Sequence, residues 1–229
     1  MELLNNQKTI GIITIISGIL ALACMIAGLI GVNYNFDAFS DPLLLLTMPN
    51  VNIEATRWFA LFDMFGYYLL LLPIIYLLHE WMNNKTPWRN VITYCGLSYI
   101  LIGAIGSAIL AVVWPSILTD YPHATPEMQQ ILKSNFKLFT DMVYGGLWNL
   151  LEVLLAGCWW LWTGILLYRN KYSFIGILTV ATGISCLIDG AASVFQLSML
   201  HEIVVNIYCL LAIVWAVAIG IFLFKNSLK

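Results

Sequence analysis

The chain has 229 residues, 61% of them apolar and 10% charged, with a mean hydropathy of +0.88 and a formal charge of −2. A soluble domain runs nearer ~45–50% apolar and ~25% charged, so this composition cannot cover a water-facing surface. It excludes a soluble enzyme, a nucleic-acid binder and a disordered regulator, and leaves an integral membrane protein whose partners include membrane lipids.

Crossing a ~30 Å hydrocarbon core takes about 20 apolar residues. Six segments qualify, at roughly 9–32, 57–79, 91–115, 138–168, 172–196 and 203–224. Lipid cannot hydrogen-bond a free backbone, so all six are expected to be helices. The predicted fold is an all-α, polytopic six-helix bundle, a single transmembrane domain over residues 1–229. The first segment is too long for a cleavable signal peptide and lacks a small-residue cleavage site before a polar mature start. Its Thr14, Ser17, Ala21, Cys24 and Gly28 recur at helical spacing, a small-residue face suited to close packing.

The connection 33–56 carries Asp41-Pro42 before four leucines and Pro49-Asn50 after them, a stretch expected to dip toward the interface or cap the bundle. Pro73 predicts a kink in the second span. Thr125-Pro126-Glu127 combines a capping residue, a first-turn proline and an acid, so a helix should begin there and flow into the fourth span. Gly145-Gly146 marks the place where that long helix bends or breaks. An inverted three-plus-three repeat finds no matched motifs to support it.

Basic residues set the expected orientation. Lys8, Lys85, Arg89, Arg169, Lys171, Lys225 and Lys229 fall on one side, and only Arg57, Lys133 and Lys137 on the other. The positive-inside rule then puts both termini in the cytoplasm, in a bacterial inner membrane. Trp81 and Trp88 flank the second-to-third turn, while Trp58 and Trp114 sit near the outer ends, as interfacial anchors would.

A charge at bilayer depth costs at least ~2.5–3.5 kcal/mol on insertion scales, so such a residue normally faces protein or water. The candidates are Asp63, Asp141, Glu152 and Asp189, with Asn149 and Asn206 as neutral companions. By topology, Glu152 falls near mid-membrane and the others in the outer half, which implies a polar cavity opening outward. Thr182, Ser185, Asp189, Ser193 and Gln196 form one polar stripe along the fifth span. Asp141, Gly145, Asn149 and Glu152 should form another along the fourth, the two facing each other or a shared cavity. Trp148, Trp159, Trp160 and Trp162 crowd the fourth span, either as packing and lipid anchors or, for Trp159 above all, as the wall of an apolar pocket.

The remaining chemistry is sparse. His79-Glu80 ends the second span, His123 lies in a connection, and His201-Glu202 opens the sixth span at the outer rim, where the two roles open to it are a place in the cavity and an interfacial helix cap, the latter expected. The five cysteines, Cys24, Cys95, Cys158, Cys186 and Cys209, stand alone in apolar runs, without disulfide or metal spacing. No metal-ligand motif, phosphate loop, nucleophile elbow or retinal-type lysine occurs, so no cofactor is expected.

Phe62-Asp63, Leu167-Tyr168-Arg169-Asn170-Lys171, Ile175-Gly176-Ile177-Leu178 and Trp215-Ala216-Val217-Ala218-Ile219-Gly220 together resemble a bacterial family of six-helix integral membrane proteins defined by a domain of unknown function. The resemblance implies the six-helix topology and carries no activity. The tryptophan-rich fourth span and Asp189 lie outside its general pattern.

The functional expectation is a non-enzymatic protein binding or transporting a small molecule or lipid. Its ligand-binding candidates are Asp63, Asp141, Asn149, Glu152, Trp159, Ser185, Asp189 and Asn206. One alternative is an intramembrane enzyme, a cyclase or isomerase, with Glu152 or Asp189 as proton donor. Another is an accessory subunit whose acids only lock helices together.

Overall fold

The computed structural model describes residues 6–228. Of the charges that orient the chain, Lys229 lies outside these residues. Every long element is helical, and six helices are long and apolar enough to cross a membrane: Gln7–Gly31, Ile53–Trp81, Arg89–His123, Pro126–Arg169, Ser173–Val194 and Ser198–Lys225. The predicted spans fall within or close to these bounds; the third and fourth run well past them at the end opposite the termini.

In chain order the elements are α1 (Gln7–Gly31), a short α2 (Asp37–Ser40), a 3-10 turn (Pro42–Leu46), α3 (Ile53–Asp63), α4 (Leu72–Trp81), α5 (Arg89–Asp120), α6 (Pro126–Asp141), α7 (Val153–Arg169), α8 (Ser173–Val194) and α9 (Ser198–Lys225). Each span packs against its sequence neighbours, and α9 closes back on α1, so the six form a ring. The ring is apolar outside as well as inside. Ile12, Ile16, Ile19, Ile26 and Ile30 recur along the exposed face of α1, while Thr14, Ser17, Ala21, Cys24 and Gly28 are buried on the other. An exposed isoleucine stripe opposite a small-residue seam suits a solvent of lipid tails. Closing contacts depend on missing side chains: a Cβ on Gly220 would lie 2.7 Å from the Gly11 carbonyl oxygen.

Two spans leave regular helix. In the second, π-helical Met64–Tyr68 and 3-10 Leu69–Leu71 separate α3 from α4. Tyr68 leaves the helical region (φ −127°, ψ −81°), and α4 restarts with Pro73 in its first turn, where a missing N–H costs no helix bond. The predicted kink therefore falls just before the proline. Loosened carbonyls there find partners on neighbouring spans: Ser17 donates to Gly66 O and Tyr99 to Tyr67 O. In the fourth span, π-helical Met142–Glu152 contains Gly145-Gly146 and joins α6 to α7, with Thr125 capping α6 by accepting from Met128 N.

The leucine-rich connection does cap the bundle. Leu45 and Leu46 are buried beside Trp114, Ile117 and Leu118 of α5 and Phe136 of α6. At ~1.5 Å per residue, the 32 residues of α5 run ~48 Å, more than the hydrocarbon core needs. Its overhanging end is what this cap covers.

Candidate functional site

Three acids are buried in the ring, at 8% exposure for Asp63, 1% for Glu152 and 0% for Asp189. Asp63 ends α3 and is enclosed by the first three spans. Its Oδ2 accepts from Ser107 Oγ on α5 at 2.6 Å, and Cys24 Sγ on α1 lies 3.9 Å from Oδ1. Tight packing backs this arrangement, since a Cβ on Gly66 would run into the backbone of Ala21.

Glu152 and Asp189 belong to the last three spans. Glu152 ends the π-helical segment and accepts from Tyr208 OH of α9 at 3.3 Å. Asp189 sits in α8, and its Oδ1 lies 2.6 Å from His201 Nδ1 in the first turn of α9. His201 Nε2 in turn lies 3.2 Å from Asn149 Nδ2 on the π-helical segment. Three spans thus converge on one imidazole, whose side chain is 25% exposed while the aspartate behind it has no exposure. Among the described residues nothing hydrogen-bonds Asp189 Oδ2. Glu152 is within electrostatic reach of both Asp63 and Asp189, which makes it the middle member of the three.

The tryptophans fill the space next to the acids. Trp159 and Trp160 are fully buried, with ring centroids 5.6 and 5.5 Å from Trp215 in edge-to-face contact, and Trp160 lies 6.3 Å from Tyr208. This is core packing of the kind that quadrupoles favour. Trp159 Nε1, Trp160 Nε1 and Thr163 Oγ1 are buried with no partner among the described residues. Trp162, by contrast, is 52% exposed and faces outward.

The expected polar faces are realised unevenly. Asp141 is exposed and pairs along its own helix with Lys137 at 2.7 Å, far from the burial of Glu152. The stripe 141, 145, 149, 152 assumed α-helical spacing, and the π-helical segment between its ends turns the two acids to different surroundings. Asn206 is exposed and donates back to Glu202 O at 2.6 Å, so it does not join the acids. Ser185 is half-buried and returns its hydroxyl to Ala181 O at 3.0 Å, as Thr182 does to Leu178 O. Asn149 and Asp189 do meet, through His201. That histidine does more than cap α9, and Ser107 and Tyr208 complete the acid partners. The signal for His201 and Tyr208 was a hairpin: a tight turn after Val194 returns His201 to the depth of Asp189, and Tyr208 follows seven residues later on the same face.

Among the described residues no group of three or more His, Cys, Asp or Glu side chains is placed to hold a metal ion. A recess of about 420 Å³ lies apart from the acids, lined by Asn83, Lys85, Thr86, Arg89 and their neighbours in the turn before α5. Lys85 stands 4.5 Å over the Trp81 ring, and partial burial holds its ammonium below the usual lysine range. No protein-family description, curated protein or solved structure matches the chain. The fold and these side chains define a multi-pass, all-helical membrane protein.

Proposed function

We propose that this is a bacterial inner-membrane protein with cytoplasmic termini that binds or transports a small molecule or lipid at a polar site reached from the outer side. Support for the orientation comes from Lys8, Lys85, Arg89, Arg169, Lys171 and Lys225 on the side of the termini, against Arg57, Lys133 and Lys137 on the other. The family resemblance in the sequence belongs to the same proposal. The observation that carries the function is the convergence of Asn149, His201 and Asp189, a half-buried imidazole backed by a fully buried acid. Ionisable groups held at such depth are expensive and mark functional sites. Glu152, one step further in, and the tryptophans beyond it would receive the polar and apolar parts of the ligand.

Native mass spectrometry of the purified protein should reveal a co-purifying small molecule or lipid. Adding that molecule back should raise the Tm of the wild type and not of Asp189→Asn. Stabilisation that survives both Asp189→Asn and Glu152→Gln unchanged overturns the reading.

One observation favours the enzymatic alternative. An aspartate 2.6 Å from His Nδ1 is the arrangement that orients a general base, whose Nε2 would take a substrate proton once the substrate displaces the Asn149 amide. Turnover of the co-purifying molecule by the wild type and not by His201→Gln would decide for it.

A further inference from the structure

We propose that the Asn149–His201–Asp189 relay is a proton-exchange site, so that binding at this site is linked to uptake of a proton through His201. This deepens the reading above by taking the same residues as the site. It follows from counting hydrogens. The Asn149 amide donates to His201 Nε2, which must therefore present its lone pair, and the ring proton sits on Nδ1 and is donated to Asp189 Oδ1. Asp189 Oδ2 is then left with no hydrogen at all, at a position with no exposure. A metal ion would need further ligands, and no cluster of them exists among the described residues.

A second arrangement is equally self-consistent. Rotating the Asn149 amide by half a turn exchanges its nitrogen and oxygen without changing its shape. The carbonyl then accepts from a protonated Nε2, and His201 becomes an imidazolium paired with the Asp189 carboxylate. The relay can thus hold one proton or two, the second on His201 Nε2. Uptake of that proton from solvent takes the pair from one negative charge to neutral, making one N–H bond and breaking none in the protein.

The surroundings leave a proton as the fitting partner. The titratable groups facing the pair are Glu202 and Cys209 on α9, Glu152 on the fourth span and Cys186 on α8. All are acids or thiols, and none supplies a fixed positive charge. Because Glu152 senses Asp189, and Tyr208 holds Glu152 from the same helix that carries His201, a proton arriving at the relay changes the field at the next acid inward.

Infrared difference spectra of the full-length protein in phosphatidylcholine vesicles, taken between about pH 5 and 8, test this without any ligand. Acidification should produce one imidazolium ring band that shifts on transfer to D2O. Asp189→Asn should abolish or displace that band, and His201→Gln, which keeps a hydrogen-bonding side chain, should abolish it. Glu152→Gln should keep the titration. No titrating band in the wild type, or the same band in both Asp189→Asn and His201→Gln, overturns the proposal. A protein that titrates but carries no co-purifying molecule keeps the proton site and overturns the ligand reading together with the linkage to binding, and the reverse result overturns the proton site alone.

Discussion

Asp63 and Asp189 are the same residue type, both buried inside a ring of helices, and their surroundings divide the molecule in two. Around Asp63, in the first three spans, a hydroxyl at 2.6 Å and a thiol at 3.9 Å close the carboxylate within a glycine-tight seam. Around Asp189, in the last three, one oxygen holds a half-buried histidine and the other holds nothing among the described residues. The first environment spends its acid on joining helices. The second keeps an acid under-satisfied beside a group that reaches the edge. Burial by itself therefore does not distinguish the two carboxylates; the state of their lone pairs does.

Three substitutions can break or sharpen that contrast. Ser107→Ala removes the donor of a buried carboxylate and should cost about 1–3 kcal/mol, seen as a lower Tm with ligand and proton responses intact. Asp189→Asn should change stability by less, about 1 kcal/mol or under, because it removes a buried charge that was incompletely paired, while abolishing the ligand response and abolishing or displacing the proton response. If instead Asp189→Asn unfolds the protein and Ser107→Ala leaves it untouched, the two halves have been assigned the wrong way round. The smallest effect belongs to Lys137→Ala: its partner Asp141 is exposed, and neither Tm nor ligand response should move measurably.

Hydropathy made the spans legible, because a 30 Å core imposes a length that apolar runs either meet or do not. The cap was half legible: Thr125-Pro126 announced α6, but nothing local said that Leu45 and Leu46 would bury against Trp114. Pro73 and Gly145-Gly146 marked two irregular places without revealing that a π-helical and a 3-10 turn would precede the proline and that the glycines would lie inside a π-helical segment. That gap mattered for the site. Spacing of three and four residues is a reliable guide to a shared face only in α-helix, which is why Asp141 was grouped with Glu152 and came out exposed. His201 was underrated for a different reason. Its partner is twelve residues away across a turn, and periodicity within a helix is blind to contacts between helices.

The ring order also fixes when this chemistry comes into existence. His201 and Tyr208 both arrive with α9, the same helix that seals the ring against α1. Before that helix is inserted, Glu152 and Asp189 have neither of these partners, and each such charge weighs ~2.5–3.5 kcal/mol against residence in lipid. A chain halted after α8 would thus hold both acids in the membrane without these partners, and the relay and the closed ring would come into being together.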